Sequence, residues 1–230
     1  MSSVTHFRKL NAYLGPLTPE QAAAGIQAAI QNARSLLTDV GILLRHHRWP
    51  RSASLAVLAI EESGKVSLIR GLLLSATPHE LRNEWRAYRC HTKKNVMGSF
   101  ASYASENPHI EDFRPLYAPE NNAPQVLDAL KQIGFYSDCL GAAHWSIPET
   151  VVDEQLARQL HVTAQALVLS GDSAMTTAPE LRLWVKHMKP VWRKDMLSMK
   201  QAVITCYQEA ADRGILKGTQ TTEDMLRFLL

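Results

Sequence analysis

The segment SASLAVLAIEESGKVSLIRGLLLS, residues 52 to 75, constrains this chain more than any other. Its first half is apolar on nearly every side. A surface helix carries one apolar stripe, whereas a helix that is apolar all round has to be surrounded by other elements. The segment is therefore expected to be the central helix of a bundle, since the apolar run ASLAVLAI is far too short to span a bilayer. Into this setting fall Glu61, Glu62, Gly64 and Lys65. Lys65 follows Glu61 by four residues and Glu62 by three, so either carboxylate can face it on a helix. A buried charge is costly unless it is paired. The charges therefore form either an ion pair that fixes helix register or the lining of a polar pocket between helices. Gly64 favours a pocket or a close helix contact, because a mid-helix glycine costs roughly 0.5–1 kcal/mol relative to alanine.

The flanking sequence supplies the other helices. A long helix starts at Thr18 as N-cap, with Pro19 and Glu20 in its first turn. Its apolar residues, from Ala22 through Ile26, Ala29 and Ala33 to Leu44, recur at three- and four-residue steps up to the turn RHHRWPR. A third helix is expected over Pro78 to Met97, then a long loop over 98–123, and a short helix in PQVLDALKQIGF ending near Gly134. Further helices are expected over Glu149–Leu169, Pro179–Lys189 and Val191–Asp212, with Gly214 just past the last and a short helix after Thr222. No alternating pattern reaches four convincing strand residues. The fold class is all-α, with residues 1–150 as a helical bundle and 151–230 as a C-terminal helical extension packed on it.

The charge is local. Arg82, Arg86, Arg89, Lys93 and Lys94 fall within thirteen positions against one acid, Glu84, so this window carries a formal +4 while the whole chain carries +3. His91 lies among them. Guanidinium groups bind phosphate bidentately and stay charged, and a histidine beside them can move a proton at neutral pH. These are the groups that phosphodiester cleavage requires, although a basic helical run is also the ordinary composition of a solvated face.

Apolar content of 46% and charged content of 20% argue against disorder. The cysteines Cys90, Cys139 and Cys206 are few and far apart. They suggest neither a zinc site nor a disulfide framework, and point to a reducing, cytoplasmic setting. The first residues lack the apolar stretch of a signal peptide. His46 and His47, flanked by Arg45 and Arg48, are expected to form a charged helix end. Trp184, Met188 and Trp192 suit a core or interface, and His144 and His161 are expected to be structural.

Taken in order, NARSLLTDVGILLRHHRWPRSASLAVLAIEESGK, EWRAYRCHTKKN, LKQIGFYSD and WSIPE resemble the AbiV-type abortive-infection proteins of the HEPN superfamily. The most specific pieces are Glu61-Glu62-x-Gly64-Lys65 and the His-x-x-Lys of His91 and Lys94. The resemblance implies a HEPN-like helical bundle that dimerises and cuts RNA without metal or cofactor, through an Arg and a following His with four to six residues between them. Arg86 and His91 match that spacing. Ala87 departs from the usual polar residue after the Arg, which leaves Arg89 as the alternative.

The resemblance thus leads to the expectation of a cytoplasmic, toxin-like, metal-independent endoribonuclease of anti-phage defence that shuts down translation. Arg86 and His91 would be catalytic, with Glu61, Glu62, Lys65, Arg89, Lys93 and Lys94 supporting the site or binding RNA. The expected partners are RNA, a second copy of the chain and a phage-encoded activator or inhibitor, with no membrane. The alternative is a non-catalytic helical module that binds RNA, the ribosome or a phage protein.

Overall fold

A computed structural model describes residues 11–96, 121–170 and 175–216. It is an all-helical bundle. Helix α1 (Pro19–Arg45) opens with a capping box, in which the Thr18 hydroxyl accepts from the backbone N–H of Gln21 and the Gln21 side chain accepts from that of Thr18. Helix α2 (Trp49–Leu74) is the hub and packs against α1, α3 (Pro78–Arg89), α5 (Ala123–Phe135), α6 (Pro148–Val151), α7 (Glu154–Ser170) and α8 (Ala178–Met188). Helix α4 is described over residues 91–96, and α9 (Met196–Asp212) packs on α8.

The all-round apolar sequence of α2 is used on both sides. Ala53, Ala56, Val57, Ala59 and Ile60 meet Ala33, Val40 and Leu44 of α1, and also Ala157, Leu160, Ala164 and Leu167 of α7. Further along, Val66, Ile69 and Leu73 meet Ile26 and Ile30 of α1 and Leu181 of α8. Each such aliphatic side chain, fully buried, contributes about 1.5–3 kcal/mol. A third cluster, with Met175, Leu183, Cys206, Tyr207 and Ala210, joins α8 to α9.

Several boundaries differ from those expected. The helix over Pro78–Met97 breaks at Cys90, which is extended (φ −81°, ψ 123°) although neither Pro nor Gly is present. The Cys90 N–H still closes α3 on Arg86 and Ala87, and its thiol lies 3.2 Å from the Thr92 hydroxyl at the start of α4. The span 149–169 is two helices, because Asp153 caps α7 by accepting from the Leu156 N–H at 2.8 Å. The helix expected from Val191 starts at Met196, where Asp195 accepts from Ser198 N–H at 2.7 Å; Val191–Lys194 form turns, with Arg193 at φ +60°. A two-stranded antiparallel hairpin of two residues per strand, β1 (Cys139–Leu140) and β2 (His144–Trp145), turns through Gly141 and Ala143 at positive φ. Pro50 opens α2 as well as following α1, since proline is tolerated in a first helical turn. Most of the loop expected over 98–123, and the helix after Thr222, lie outside the described residues. Among the described residues, no helix is long and apolar enough to cross a membrane.

Candidate active site

The break at Cys90 matters because it re-aims α4. Continued as one helix, Arg86 and His91 would point about 140° apart at 100° per residue. Instead α4 starts afresh at His91 and lays its backbone on α2. The contact is close: a Cβ added at Gly64 would stand 2.2 Å from the Lys94 carbonyl oxygen. Only glycine admits that approach, so the close helix contact read from Gly64 is present.

Beside it a charged cluster forms from three helices. Glu61 of α2 has a side chain only 3% exposed, and its Oε2 lies 2.7 Å from Nδ1 of His91, whose side chain is 54% exposed. Its other oxygen, Oε1, accepts from Lys131 Nζ of α5 at 2.7 Å. Lys131 also pairs with Asp128 at 2.7 Å, and Lys94 Nζ stands 3.6 Å from Glu61 Oε2. Burial works against the Lys131 ammonium, but the bonds to Asp128 and Glu61 outweigh it and hold its pKa above the ordinary lysine value.

The geometry identifies the histidine tautomer. A carboxylate only accepts, so the 2.7 Å contact makes Nδ1 the protonated nitrogen, donating to Glu61. Nδ1 then has no lone pair for Lys131 or Lys94, at 3.3 and 3.5 Å, and these ammoniums act on the ring through charge. The neutral ring keeps its lone pair on Nε2, which makes no hydrogen bond among the described residues. Glu61, His91 and Asp128 present oxygen and nitrogen atoms within 4.8 Å of one another, a spacing that could suit a metal ion. The Lys131 ammonium contacts all three groups and so fills that place as a cation of the chain itself.

The other residues singled out in the sequence divide. Glu62 pairs with Lys65 at 2.5 Å, and Lys65 lies 5.7 Å from the centre of the Tyr88 ring. Of the two carboxylates in reach of Lys65, Glu62 is the one that takes it, which leaves Glu61 to the cluster. Arg89 is committed locally. Its guanidinium donates to the Trp85 and Tyr13 carbonyls at 3.2 and 2.7 Å and lies over the Trp85 ring. Arg86 is exposed and donates to Asn83 Oδ1 at 3.2 Å. Lys93 is exposed, whereas Lys94, expected to support the site or bind RNA, is buried in the cluster because α4 turns it inward. Lys131 and Asp128 were not anticipated. Their one signal is an i, i+3 charge pair inside the largely apolar VLDALKQIGF.

An all-helical bundle whose central helix carries Glu-Glu-x-Gly-Lys, with a histidine held against its first glutamate, defines a HEPN-type protein. The chain belongs to the AbiV family of HEPN proteins, whose match covers residues 21–169 and so ends within α7. No curated protein and no solved structure matches the chain.

Proposed function

We propose that this protein is a metal-independent endoribonuclease of anti-phage abortive infection, toxin-like, that shuts down translation by cutting RNA. The observation that carries this reading is the half-exposed His91, held through Nδ1 by buried Glu61 with the lone pair on Nε2. That is the arrangement of a positioned general base. Arg86 would take the scissile phosphate, because Arg89, although exposed as well, is committed to the Trp85 and Tyr13 carbonyls.

RNA carries its nucleophile with it. His91 takes the proton of the 2′-hydroxyl, the oxygen attacks the adjacent phosphorus, and the 5′-oxygen of the next nucleotide leaves with a proton given by the imidazolium of a second copy's His91. Arg86 stabilises the charge that develops on the phosphoryl oxygens, an effect worth on the order of 10²–10³ in rate for one donor. One imidazole per chain serves poorly as both base and acid, which supports a homodimer with the segments over residues 84–95 of two copies facing a shared cleft. A phage-encoded protein would act as activator or inhibitor.

The test is cleavage of RNA by the purified protein in EDTA, with the ends of the products identified. The expected products carry a 2′,3′-cyclic phosphate and a 5′-hydroxyl, and a 2′-deoxy sugar at the cleaved position leaves the strand whole. Cutting of that deoxy linkage, or dependence on magnesium, would overturn the mechanism. If His91→Ala and Arg86→Ala both keep full defence against phage, a non-catalytic binding module replaces the enzyme.

A further inference from the structure

Lys131 is 4% exposed, and its ammonium touches Glu61, Asp128 and the His91 ring together. Nothing in the Arg-and-His spacing requires a buried lysine from a third helix. Its place is held firmly. The backbone carbonyl of Lys131 accepts from the Ser54 hydroxyl of α2 at 3.0 Å, and a Cβ at Gly134, one turn on, would stand 2.2 Å from that same hydroxyl oxygen. Helix α5 is therefore docked on α2 by small residues at the level where its lysine meets Glu61.

We propose that Lys131, braced by Asp128, is the positioning residue of this site. Its ammonium keeps Glu61 aimed at Nδ1 of His91 and balances the carboxylate charge, so that Nδ1 donates and Nε2 is left to take a proton. The inference rests on His91 acting as the base.

The charge around the ring supports this. Among the described residues, the charged groups of the cluster are Glu61 from α2, Lys94 from α4, and Asp128 and Lys131 from α5, two acids and two ammoniums. Removing the lysine leaves a net negative surround, which favours the imidazolium. Removing Asp128 leaves a net positive one, which disfavours it. An uncompensated charge within about 4–6 Å shifts such a titration by about one pH unit or more.

The experiment follows the His91 ring by NMR in histidine-labelled full-length protein, with its resonance assigned by its loss in His91→Asn, beside the pH profile of RNA cleavage. Lys131→Met is expected to move the His91 midpoint, and the acid limb of cleavage, up by about one unit, a roughly tenfold loss of rate on that limb. Asp128→Asn is expected to move both down, and the double variant to return close to the parent. Asp128 is one-third exposed and asparagine is nearly isosteric, so this variant gives the sign even if Lys131→Met does not fold. No shift, or shifts of the same sign in both single variants, would overturn the inference. A His91 titration that moves as expected in a protein that cuts no RNA would leave the charge role standing and remove the nuclease.

Discussion

Among the described residues, two clusters each bring together a glutamate, a histidine and two cations, and they differ in which partner is exposed. In the first, Glu61 is buried and His91 is half-exposed. In the second, where α9 meets α8, Glu209 pairs with His187, Lys186 and Arg213, and the histidine side chain is the more covered, at 15% exposure against 19% for the glutamate. Glu61 holds its histidine through Nδ1, whereas Glu209 holds His187 through Nε2 at 2.5 Å. A buried carboxylate carrying an exposed ring orients a proton acceptor toward solvent. A covered ring tied to a rim carboxylate joins two helices. A shallow cavity of about 540 Å³ opens beside the second cluster, with Leu197 and Thr205 on its wall. The histidine of this cluster is spent on Glu209. The second cluster also lies beyond the residues matched by the family.

The sharpest way to break this comparison is to remove each histidine in turn. His91→Ala is expected to reduce RNA cleavage by about 10²–10⁴, the usual contribution of a general acid or base. His187→Ala is expected to leave cleavage within a few-fold of the parent and to lower thermal stability slightly. Cleavage rates of the two variants, with circular dichroism to confirm folding, check this pair. Equal losses in both would abolish the distinction between a working cluster and a structural one.

The contrast also marks what could be read in advance. The hub role of α2 was legible because an all-round apolar helix has no other stable environment, and the Thr18 cap with Pro19 announced α1. Glu61 and Gly64 were legible as exceptions within that apolar segment. Lys131 was not, since one lysine on a short helix looks like any solvated lysine until three helices are assembled around it. The break at Cys90 was hidden for a similar reason. No residue there forbids helix, and the kink comes from docking α4 on Gly64, a tertiary contact that local propensity does not encode. Arg86 was favoured by its spacing to His91, with Arg89 kept as the alternative because of Ala87, and only the fold shows that the Trp85 and Tyr13 carbonyls occupy Arg89.

Gly64 provides the second prediction. Alanine there places a methyl group against the Lys94 carbonyl, a backbone atom that cannot rotate away, so α4 has to lift off α2. Overpacking of this kind costs about 1–3 kcal/mol. Because α4 carries both His91 and Lys94, the same variant is expected to lose cleavage while keeping most of its helical content. Chemical denaturation and the cleavage assay measure the two effects. A Gly64→Ala protein with the parent's stability and activity would show that the close approach does not hold the first cluster together.

The smallest expected effect belongs to the second cluster and appears only in acid. Hydrogen bonds from Lys186 and then His187, with Arg213 nearby, hold the Glu209 carboxyl down to about 2, below the ordinary glutamate value of 4.5. A depressed folded-state value means that the folded chain binds this proton less readily than the unfolded chain. The stabilisation is therefore fully present above about 4.5 and is lost as pH falls from there toward about 2. The side chains of its partners Lys186 and Arg213 are more than half exposed, so solvent screening keeps the amount small. Glu209→Gln should accordingly flatten the acid side of the thermal stability profile between pH 4.5 and 2 and lower the melting temperature slightly at neutral pH. RNA cleavage measured at neutral pH should not change, because none of the groups around His91 touches this end of the bundle. A Glu209→Gln protein that loses cleavage while staying folded would join the two clusters into one working unit, and the difference in exposure between His91 and His187 would no longer separate their roles.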